Sequence, residues 1–561
     1  MTLIFQLCLT SSFAIRAFAV LAGGIVLALC WVFLRSTSSP LAAFPGPDPQ
    51  DWIFGNLLEV FESEHGAPHE RWAEKYGHVF VYQCLFGEKR LSTIDAKALN
   101  HILLEKAELY PRTPSDLREL DHSLGHGIAS AQGEPHRRQK KMLLPFFSPT
   151  QLKEASPMFE EKSQQLCSIL RQMLEDNDSS SKNDKNMIVD MYAWFNRVTL
   201  DIIGQAGFGH SFNSLLGEDH VTRALNRLFC SGAFQYTGIT FLIRTAVREF
   251  TFLQKFIRTQ RTKAMKEALR ILTEQGWKIY EARHSEVTSG LEKDKKDLIT
   301  LLIRENSKTT SGDKLREDEI MSQISTFIAA GSETTATSLS WATWLMTRYP
   351  EVQVKLRNEL LNALEKCPTG SLEPEMIYSL PYLDAFCREV LRFIPPATSM
   401  LRQAISSDQI PLSTPVTLRN GDIVNSIPIQ KGQTILIPIS AYNRSKSVFG
   451  PTADQFDPER WMSKNSEREG DSGVSISGQA VGLWAGLLSF GTGPKSCIGY
   501  KFSVMEMKVI LAHLLLEFKF EERDPGGGPL IERRANSVVR PRIAGKKNGA
   551  EMPLRISFWK Q

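Results

Sequence analysis

The chain has 561 residues, of which 42% are hydrophobic and 23% are charged, so a large buried core is possible. Lys and Arg total 66 against 62 Asp and Glu, and the net charge of +4 gives no reason to expect nucleic-acid binding. None of the eight cysteines forms a C-x-x-C pair and no His/Cys spacing suits zinc, which excludes the common zinc sites and favours a reducing compartment over a disulfide framework.

The first predicted element is a membrane anchor at residues 17–34, which carry no charge. As a helix this segment would extend about 27 Å, enough to cross a thin bilayer such as that of the endoplasmic reticulum. Arg16 and Arg35 flank it equally, so the positive-inside rule does not set its orientation. A cleaved signal peptide is the alternative, but the run is long for one and residues 36–40 offer only a weak cleavage site.

A proline-rich segment, FPGPDP at residues 44–49, predicts a stiff spacer between the anchor and a globular body. We therefore divide the chain into an anchor at residues 1–35, a proline-rich linker at residues 36–60 and a body at residues 61–561. From about residue 70 to residue 401 the pattern of the body is mainly helical.

After residue 401 the pattern changes to strands. Asn420-Gly421 signals a hairpin turn, and residues 434–439 are typical of a further strand. Helical periodicity returns after Cys497. The predicted fold is mainly α with small β-sheets (α+β), and its strands do not alternate with helices as a Rossmann fold requires.

The longest predicted helix runs from about residue 314 to residue 347, about 50 Å if it is continuous. Its middle, AAGSETTATS at residues 329–338, holds glycine and hydroxyl residues that are poor choices for a helix interior. Residues that are unfavourable for a helix but lie in its middle often belong to a functional site. A Ser/Thr face that only packs is the alternative.

Two later segments carry charge and sulfur. Glu389 and Arg392 are i, i+3 neighbours that can pair on a helix, although such pairs usually lie on a solvated surface. In FGTGPKSCIG at residues 490–499, glycines allow the backbone to approach a flat cofactor. Cys497 just before a predicted helix would have its thiolate stabilised by the helix dipole and free N–H groups. A glycine-rich turn with a buried cysteine is the alternative, and a nucleotide loop is excluded because Ser496 replaces the required glycine.

The FGTGPKSCIG segment resembles the haem-binding loop of the cytochrome P-450 family, and the resemblance extends from about Phe44 over nearly the whole body. It implies haem b whose iron is axially ligated by Cys497. A thiolate ligand donates electron density to the iron, which favours O–O cleavage. His136 and Lys140 stand where the family usually has Trp and Arg, and both can donate hydrogen bonds to propionates. The haem-contacting residues that the resemblance implies are His136, Lys140, Arg402, Phe490, Lys495 and Gly499.

The same resemblance assigns two further groups. Glu389, Arg392 and Arg460 correspond to a structural cluster of the haem-side core. Glu333 and Thr334 correspond to the acid–alcohol pair of a helix that bends open, holds dioxygen and relays protons. The pair favours oxygen activation over a same-fold isomerase or dehydratase, and over a non-catalytic haem sensor.

The implied function is a monooxygenase of the endoplasmic reticulum membrane, single-pass, with its catalytic domain facing the cytosol. No flavin or nicotinamide motif is evident, so electrons would come from NADPH through a reductase in the same membrane. The expected substrate is lipophilic and is hydroxylated or epoxidised, with a terpenoid of fungal secondary metabolism as the first candidate; a fatty acid or a xenobiotic is the alternative. The basic residues expected to form a reductase-docking face, rather than a merely solvated charge run, are Arg137, Arg138, Lys140, Lys141, Lys501 and Lys508.

Overall fold

The structure is a computed structural model. It describes residues 39–176, 186–217, 220–230, 260–289, 296–309, 313–368, 370–462, 480–524, 530–535, 538–546 and 549–559, together with Gly23, Gly238, Leu242 and Ile243. The chain divides into two compact units. The smaller is Met1–Tyr110 with Leu401–Pro438, and the larger is Pro111–Met400 with Ile439–Gln561.

The smaller unit is built on a four-stranded sheet of order β1-β2-β7-β4. Strands β1 and β2 are antiparallel and β2 is parallel to β7. Because the first four residues of β1 are β-branched or aromatic, the strand buries side chains on both faces. The elements of this unit are α1 (Leu57–Glu62), α2 (Ala67–Tyr76), β1 (Val79–Gln83), β2 (Lys89–Thr93), α3 (Ala96–Asn100), β4 (Met400–Gln403), β5 (Asp408–Thr417), β6 (Ile423–Ile429) and β7 (Thr434–Ile437).

The hairpin predicted at Asn420-Gly421 is confirmed. Strands β5 and β6 pair antiparallel up to Thr417 and Ile423, and Gly421 has a φ of 93°, a left-handed conformation that favours glycine. The strand predicted at residues 434–439 is β7, which ends earlier because a helix begins at Ile439.

The proline-rich segment predicted as a spacer is in contact with this sheet. The Pro45 carbonyl accepts a hydrogen bond from the Val81 N–H at 2.8 Å, and Arg419 donates to the Gly46 carbonyl at 2.7 Å. A Cβ on Gly46 would lie 1.9 Å from the Val81 carbonyl oxygen, so only glycine fits beside β1. Residues 44–46 therefore follow the edge of the folded unit.

The larger unit is mainly helical. Its strands form a three-stranded sheet of order β3-β11-β8 and a hairpin of β9 and β10. The helices described in it are α4 (Pro114–Leu124), α5 (Gly133–Leu143), α6 (Pro149–Asp176), α7 (Met191–Phe208), α8 (His220–Cys230), α9 (Gln260–Ser289), α10 (Leu298–Lys308), α11 (Glu317–Arg348), α12 (Pro350–Glu365), α13 (Pro374–Ser379), α14 (Pro381–Phe393), α15 (Ile439–Asn443), α16 (Lys446–Phe449) and α17 (Tyr500–Glu517). The strands are β3 (Asn186–Asp190), β8 (Phe518–Glu522), β9 (Ile531–Ala535), β10 (Val539–Ile543) and β11 (Pro553–Phe558).

Helix α11 runs through the core of the larger unit, close to the bounds predicted for the longest helix. It stays helical through residues 329–338, and its hydroxyl groups are satisfied within the helix by donating to carbonyls one turn back, as Ser332 does to Ile328 and Ser338 to Thr334. Gly331 has a packing reason: a Cβ there would lie 2.9 Å from Cγ1 of Ile203 on α7. The small residue therefore permits two helices to approach closely.

The predicted fold class, mainly α with small sheets, is confirmed. Across the part of the chain that the structure describes, no helix is long and apolar enough to cross a bilayer. The predicted anchor at residues 17–34 lies outside the described residues except for Gly23. The anchor and the division at residues 35 and 60 stay predictions.

Candidate active site

The Cys497 loop is held by its own backbone. Gly491 and Gly493 both have a φ of 70°, a left-handed conformation that favours glycine. The Cys497 N–H donates to the Phe490 carbonyl at 2.8 Å and closes the loop, and Gly499 caps α17. The two glycines are thus required by the turn itself.

Cys497 is the exposed member of the five free cysteines in the described part of the chain. Desolvation by the surrounding protein raises the pKa of its thiol, and the Gly499 N–H and the charge of Lys140 oppose that rise. The Gly499 N–H at the start of α17 thus acts in the predicted direction, since it favours the thiolate. An accessible thiol of this kind suits a cation, since a metal ion deprotonates the thiol it binds.

An accessible strip interrupts the buried surface of α11. Between residues 319 and 347 every residue is buried except Ala330, Gly331, Thr334 and Trp344. Ala330 and Thr334 are i, i+4 neighbours on one face, and the Thr334 hydroxyl donates to the Ala330 carbonyl at 2.7 Å. The helix is thus continuous at the segment that was expected to bend open.

This strip lies in the neighbourhood of the Cys497 loop. The hydroxyls of Thr335 on α11 and Ser503 on α17 are 3.0 Å apart. On the other side, Phe147 lies 3.4 Å from the position of a Cβ on Gly499, and its ring centroid is 5.6 Å from that of Phe327 on α11. The folding of the larger unit thus brings the cysteine loop and the Ala330–Thr334 turn to the same region.

Glu333 takes part in a buried ion pair. Its Oε1 accepts from the Tyr192 hydroxyl at 2.7 Å and from Arg540 Nε at 2.5 Å. Glu333 and Thr334 were predicted as one relay pair, and in the structure their side chains have different partners. Tyr192 and Arg540 carry no motif that sequence reasoning uses, and they were missed.

Basic side chains converge beside the Cys497 loop. Lys140 donates to the Pro494 carbonyl at 2.7 Å and Lys495 donates to the Ala131 carbonyl at 2.6 Å. Burial, then the charges of Lys495, Lys140 and Arg112, lower the pKa of His136 to about 4, so this imidazole is neutral near pH 7. The structure therefore places His136, Lys140 and Lys495 together.

Arg112 completes this basic cluster and was missed from sequence. Burial lowers its pKa, opposed by the charge of Asp116, and its buried Nε has no hydrogen-bond partner among the described residues. A buried guanidinium N–H without an acceptor is costly unless an anion satisfies it. Together with an accessible thiol, this donor set fits haem, which carries two carboxylates and an iron that binds thiolate.

Arg402, another predicted haem contact, lies on β4 in the smaller unit. It is buried, and its Nη1 donates to the Leu401 carbonyl at 2.9 Å. Its role towards a propionate stays a prediction. Phe490 is placed by ring contacts with Trp484 and Tyr500, at centroid distances of 5.7 Å and 5.9 Å.

Glu389, Arg392 and Arg460 are brought together as a buried cluster. Arg392 makes a bidentate pair with Glu389 at 2.8 Å and 2.7 Å, and Arg460 Nε lies 3.1 Å from the same carboxylate. Sequence reasoning missed Trp461, whose indole N–H also donates to Glu389 at 2.9 Å. The carboxylate is therefore satisfied on every side.

The cluster is connected to the cysteine loop through Asn443. Arg392 donates to the Asn443 carbonyl at 3.0 Å. The Asn443 side chain accepts from the Leu488 N–H and donates to the Ser489 hydroxyl, at 3.0 Å and 2.8 Å. Helix α14 thus fixes the residues that lead into Phe490 and Cys497.

The docking face predicted from basic residues is partly wrong. Lys508 is buried and donates to Asp384 at 2.6 Å, because α17 packs against α14 there. Arg138 is engaged with the buried Glu319 at 2.5 Å. Arg137 and Lys141 are exposed and stay candidates for a docking face.

The substrate-contacting segments that the resemblance implies are residues 125–131, Phe327, Ala330, residues 397–401 and residues 535–539. These segments are only partly accessible. Ala330 is exposed and residues 128–131 are half-buried, whereas Phe327 and Val539 are buried in this structure. Residues 536–537 lie outside the described residues. So do residues 234–256 except Gly238, Leu242 and Ile243; this region was expected to enter the lipid surface rather than to contact substrate.

Comparison with known proteins agrees with this geometry. The family model "Cytochrome P-450" matches residues 45–546. The chain is 34% identical to cytochrome P-450 monooxygenase 205 of Postia placenta, over 93% of this chain and 94% of that protein. It is 32% identical to cytochrome P-450 monooxygenase claQ of Ampulloclitocybe clavipes, over 93% and 94% of the two chains. A match of this extent shows that the chain belongs to the cytochrome P-450 monooxygenase family.

Proposed function

We propose that the chain is a haem-thiolate monooxygenase of the endoplasmic reticulum membrane that receives electrons from an NADPH-dependent reductase. The observation that supports it most is the pairing of an accessible Cys497 with the basic cluster of Arg112, His136, Lys140 and Lys495. Haem, when bound, supplies the oxygen activation for which the family is known. Every other step depends on how this chain holds substrate, water and protons.

The residues around the site have separate tasks in this proposal. Cys497 provides the iron ligand, and the basic cluster binds the propionates. The Thr334 hydroxyl, which donates to Ala330 in this structure, turns to donate towards the reaction side of the strip. Glu333 exchanges protons with that side through water.

The substrate we propose is lipophilic, with a terpenoid tested first. The accessible residues in the expected substrate segments are small or apolar, which suits such a molecule. The two fungal relatives named above are monooxygenases, and their names specify no substrate. The anchor at residues 17–34 would place the catalytic part at a membrane where lipophilic compounds dissolve, and exposed Arg137 and Lys141 would face an acidic reductase surface.

The ligand assignment is tested with Cys497→Ala in the full chain. The reduced, carbon monoxide-treated wild type should show the red-shifted spectrum of a thiolate ligand, and the variant should lose it. Cys367→Ala, at a half-buried cysteine elsewhere in the larger unit, is the matched control and should keep it. A Cys497→Ala protein with an unchanged spectrum would refute the assignment.

The reaction class is tested by co-expressing the chain with an NADPH-dependent reductase and profiling metabolites. Products that gain one oxygen atom and require NADPH support the monooxygenase. Turnover without NADPH or reductase would favour an isomerase or dehydratase. A chain lacking residues 1–35 should lose membrane association in fractionation, and retained association would contradict the anchor.

A further inference from the structure

We propose that Arg540 and Tyr192 are positioning residues that hold Glu333 for proton delivery. The inference rests on the proposed function and adds to it two residues that no sequence motif marks. Its starting point is that Glu333 does not share the environment of Thr334, its neighbour in sequence.

The contacts of Glu333 are short and buried. Glu333 and Arg540 are each 2% exposed in their side chains, and Arg540 Nε lies 2.5 Å from Glu333 Oε1. The Tyr192 hydroxyl donates to the same oxygen at 2.7 Å. Removing one partner of a buried ion pair leaves the other charge uncompensated, which is strongly unfavourable.

The three residues come from separate elements that the fold holds in place. Tyr192 is in the first turn of α7, Glu333 is in the middle of α11, and Arg540 is on β10. Helices α7 and α11 approach closely where Gly331 faces Ile203. The position of Glu333 relative to Tyr192 is thus set by helix packing.

Strand β10 is fixed one residue before Arg540. The Val539 N–H donates to the Pro396 carbonyl at 2.8 Å, and the Val539 carbonyl accepts from the Trp341 indole on α11 at 2.8 Å. Pro396 precedes one expected substrate segment, and Val539 ends another. A guanidinium on such a strand is held by a rigid support, which is what a positioning residue needs.

The two oxygens of the Glu333 carboxylate therefore have different roles. Arg540 and Tyr192 occupy Oε1, which keeps the carboxylate anionic and oriented. For each proton delivered, the carboxylate accepts one proton from water and releases one proton towards the Thr334 side, so its charge and the pair with Arg540 are restored. Without Arg540 the buried acid would keep its proton and lose its orientation.

The test uses the full chain with reductase and four variants. Arg540→Gln removes the cation, Arg540→Lys keeps a charge, and Tyr192→Phe removes one hydrogen bond at nearly constant volume. The matched control is Arg534→Gln, because Arg534 lies directly opposite Arg540 in the hairpin and pairs with Glu532 instead. For each protein we would measure product formed and peroxide released per NADPH, with the carbon monoxide spectrum as a check on haem binding.

In Arg540→Gln, coupled turnover should fall about 10²-fold, the lower end of what general acid–base catalysis contributes. Peroxide should rise while the carbon monoxide spectrum is retained. Arg540→Lys should recover part of the coupling, Tyr192→Phe should show a smaller loss, and Arg534→Gln should match the wild type. Rescue by lysine separates a positioning role from a merely structural one.

A spectroscopic readout is independent of turnover. The infrared difference spectrum between Arg540→Gln and the double variant Arg540→Gln/Glu333→Gln isolates the bands of Glu333 and should contain a protonated-carboxyl band. The corresponding difference spectrum between the wild type and Glu333→Gln should contain only carboxylate bands. Wild-type coupling in Arg540→Gln, or the absence of that band, overturns the proposal. If Arg540→Gln does not fold, Arg540→Lys and Tyr192→Phe decide it, and wild-type coupling in both overturns it. A wild type without the red-shifted spectrum would instead refute the proposed function.

Discussion

Arg392→Gln tests the connection that holds the cysteine loop against α14. Arg392 is fully buried and makes five hydrogen bonds, two to Glu389 and one each to the carbonyls of Asn443, Ala453 and Gln455. Glutamine has a shorter side chain with one amide group and no charge. It therefore leaves several of these acceptors unpaired.

The size of the effect follows from burial. Removing one partner of a buried ion pair costs about 3–5 kcal/mol, because the remaining charge is uncompensated. Glu389 keeps Arg460 and Trp461 as donors, which places the expected loss near about 3 kcal/mol rather than at the upper end. Against a typical stability of about 5–15 kcal/mol this is a large fraction.

Urea unfolding followed by tryptophan fluorescence measures the loss, with equal slopes required before midpoints are compared. Arg388→Gln is the control, since Arg388 lies on the same helix and pairs with Asp384 at 2.6 Å near the surface. Such a pair contributes about 0–1 kcal/mol. If Arg392→Gln and Arg388→Gln unfold at the same urea concentration, the reasoning from burial is refuted.

Two further predictions concern other parts of the fold. Burial alone would raise the pKa of Asp408, but hydrogen bonds from Lys106, His101 and Tyr110 hold it well below its usual range. This stabilisation is complete above the unfolded value of about 3.9 and is lost as pH falls towards the folded pKa. The thermal midpoint of Asp408→Asn should thus lie below that of the wild type at neutral pH, and the two should begin to converge only below about pH 4 and continue to converge as the pH falls further; parallel curves would contradict this. Gly331→Ala should destabilise by about 1–3 kcal/mol through overpacking against Ile203, despite a gain of about 1 kcal/mol in helix propensity. Ile203→Ala should relieve the loss in a double-mutant cycle, and additive effects would show that the contact is not the cause.

Several elements of this fold are formed by residues close together in sequence, and such elements can be predicted from the sequence. The loop at residues 490–499, the hairpin at Asn420-Gly421 and the span of α11 all depend on side chains within a few residues of one another. Backbone conformation and hydrophobic period act over such distances, so these elements were predicted close to where they lie. The pairing of Glu389 with Arg392 is of the same kind, since the two are one helical turn apart.

The partners of those residues are a different matter, because the fold chooses them across long separations. Arg540 meets Glu333 only when β10 is pinned to α11 by the Trp341 indole, and Arg112 meets His136 and Lys495 only when the larger unit closes around them. Burial likewise turned Lys508 from an expected surface charge into a buried partner of Asp384. Short-range sequence patterns were thus enough to predict which residue types and which secondary-structure elements form the candidate site. Which charged side chains are paired in the interior, and which stay exposed to bind a partner, follows only from the three-dimensional packing. The reason is that desolvation and ion pairing depend on all the neighbouring residues, including those distant in sequence.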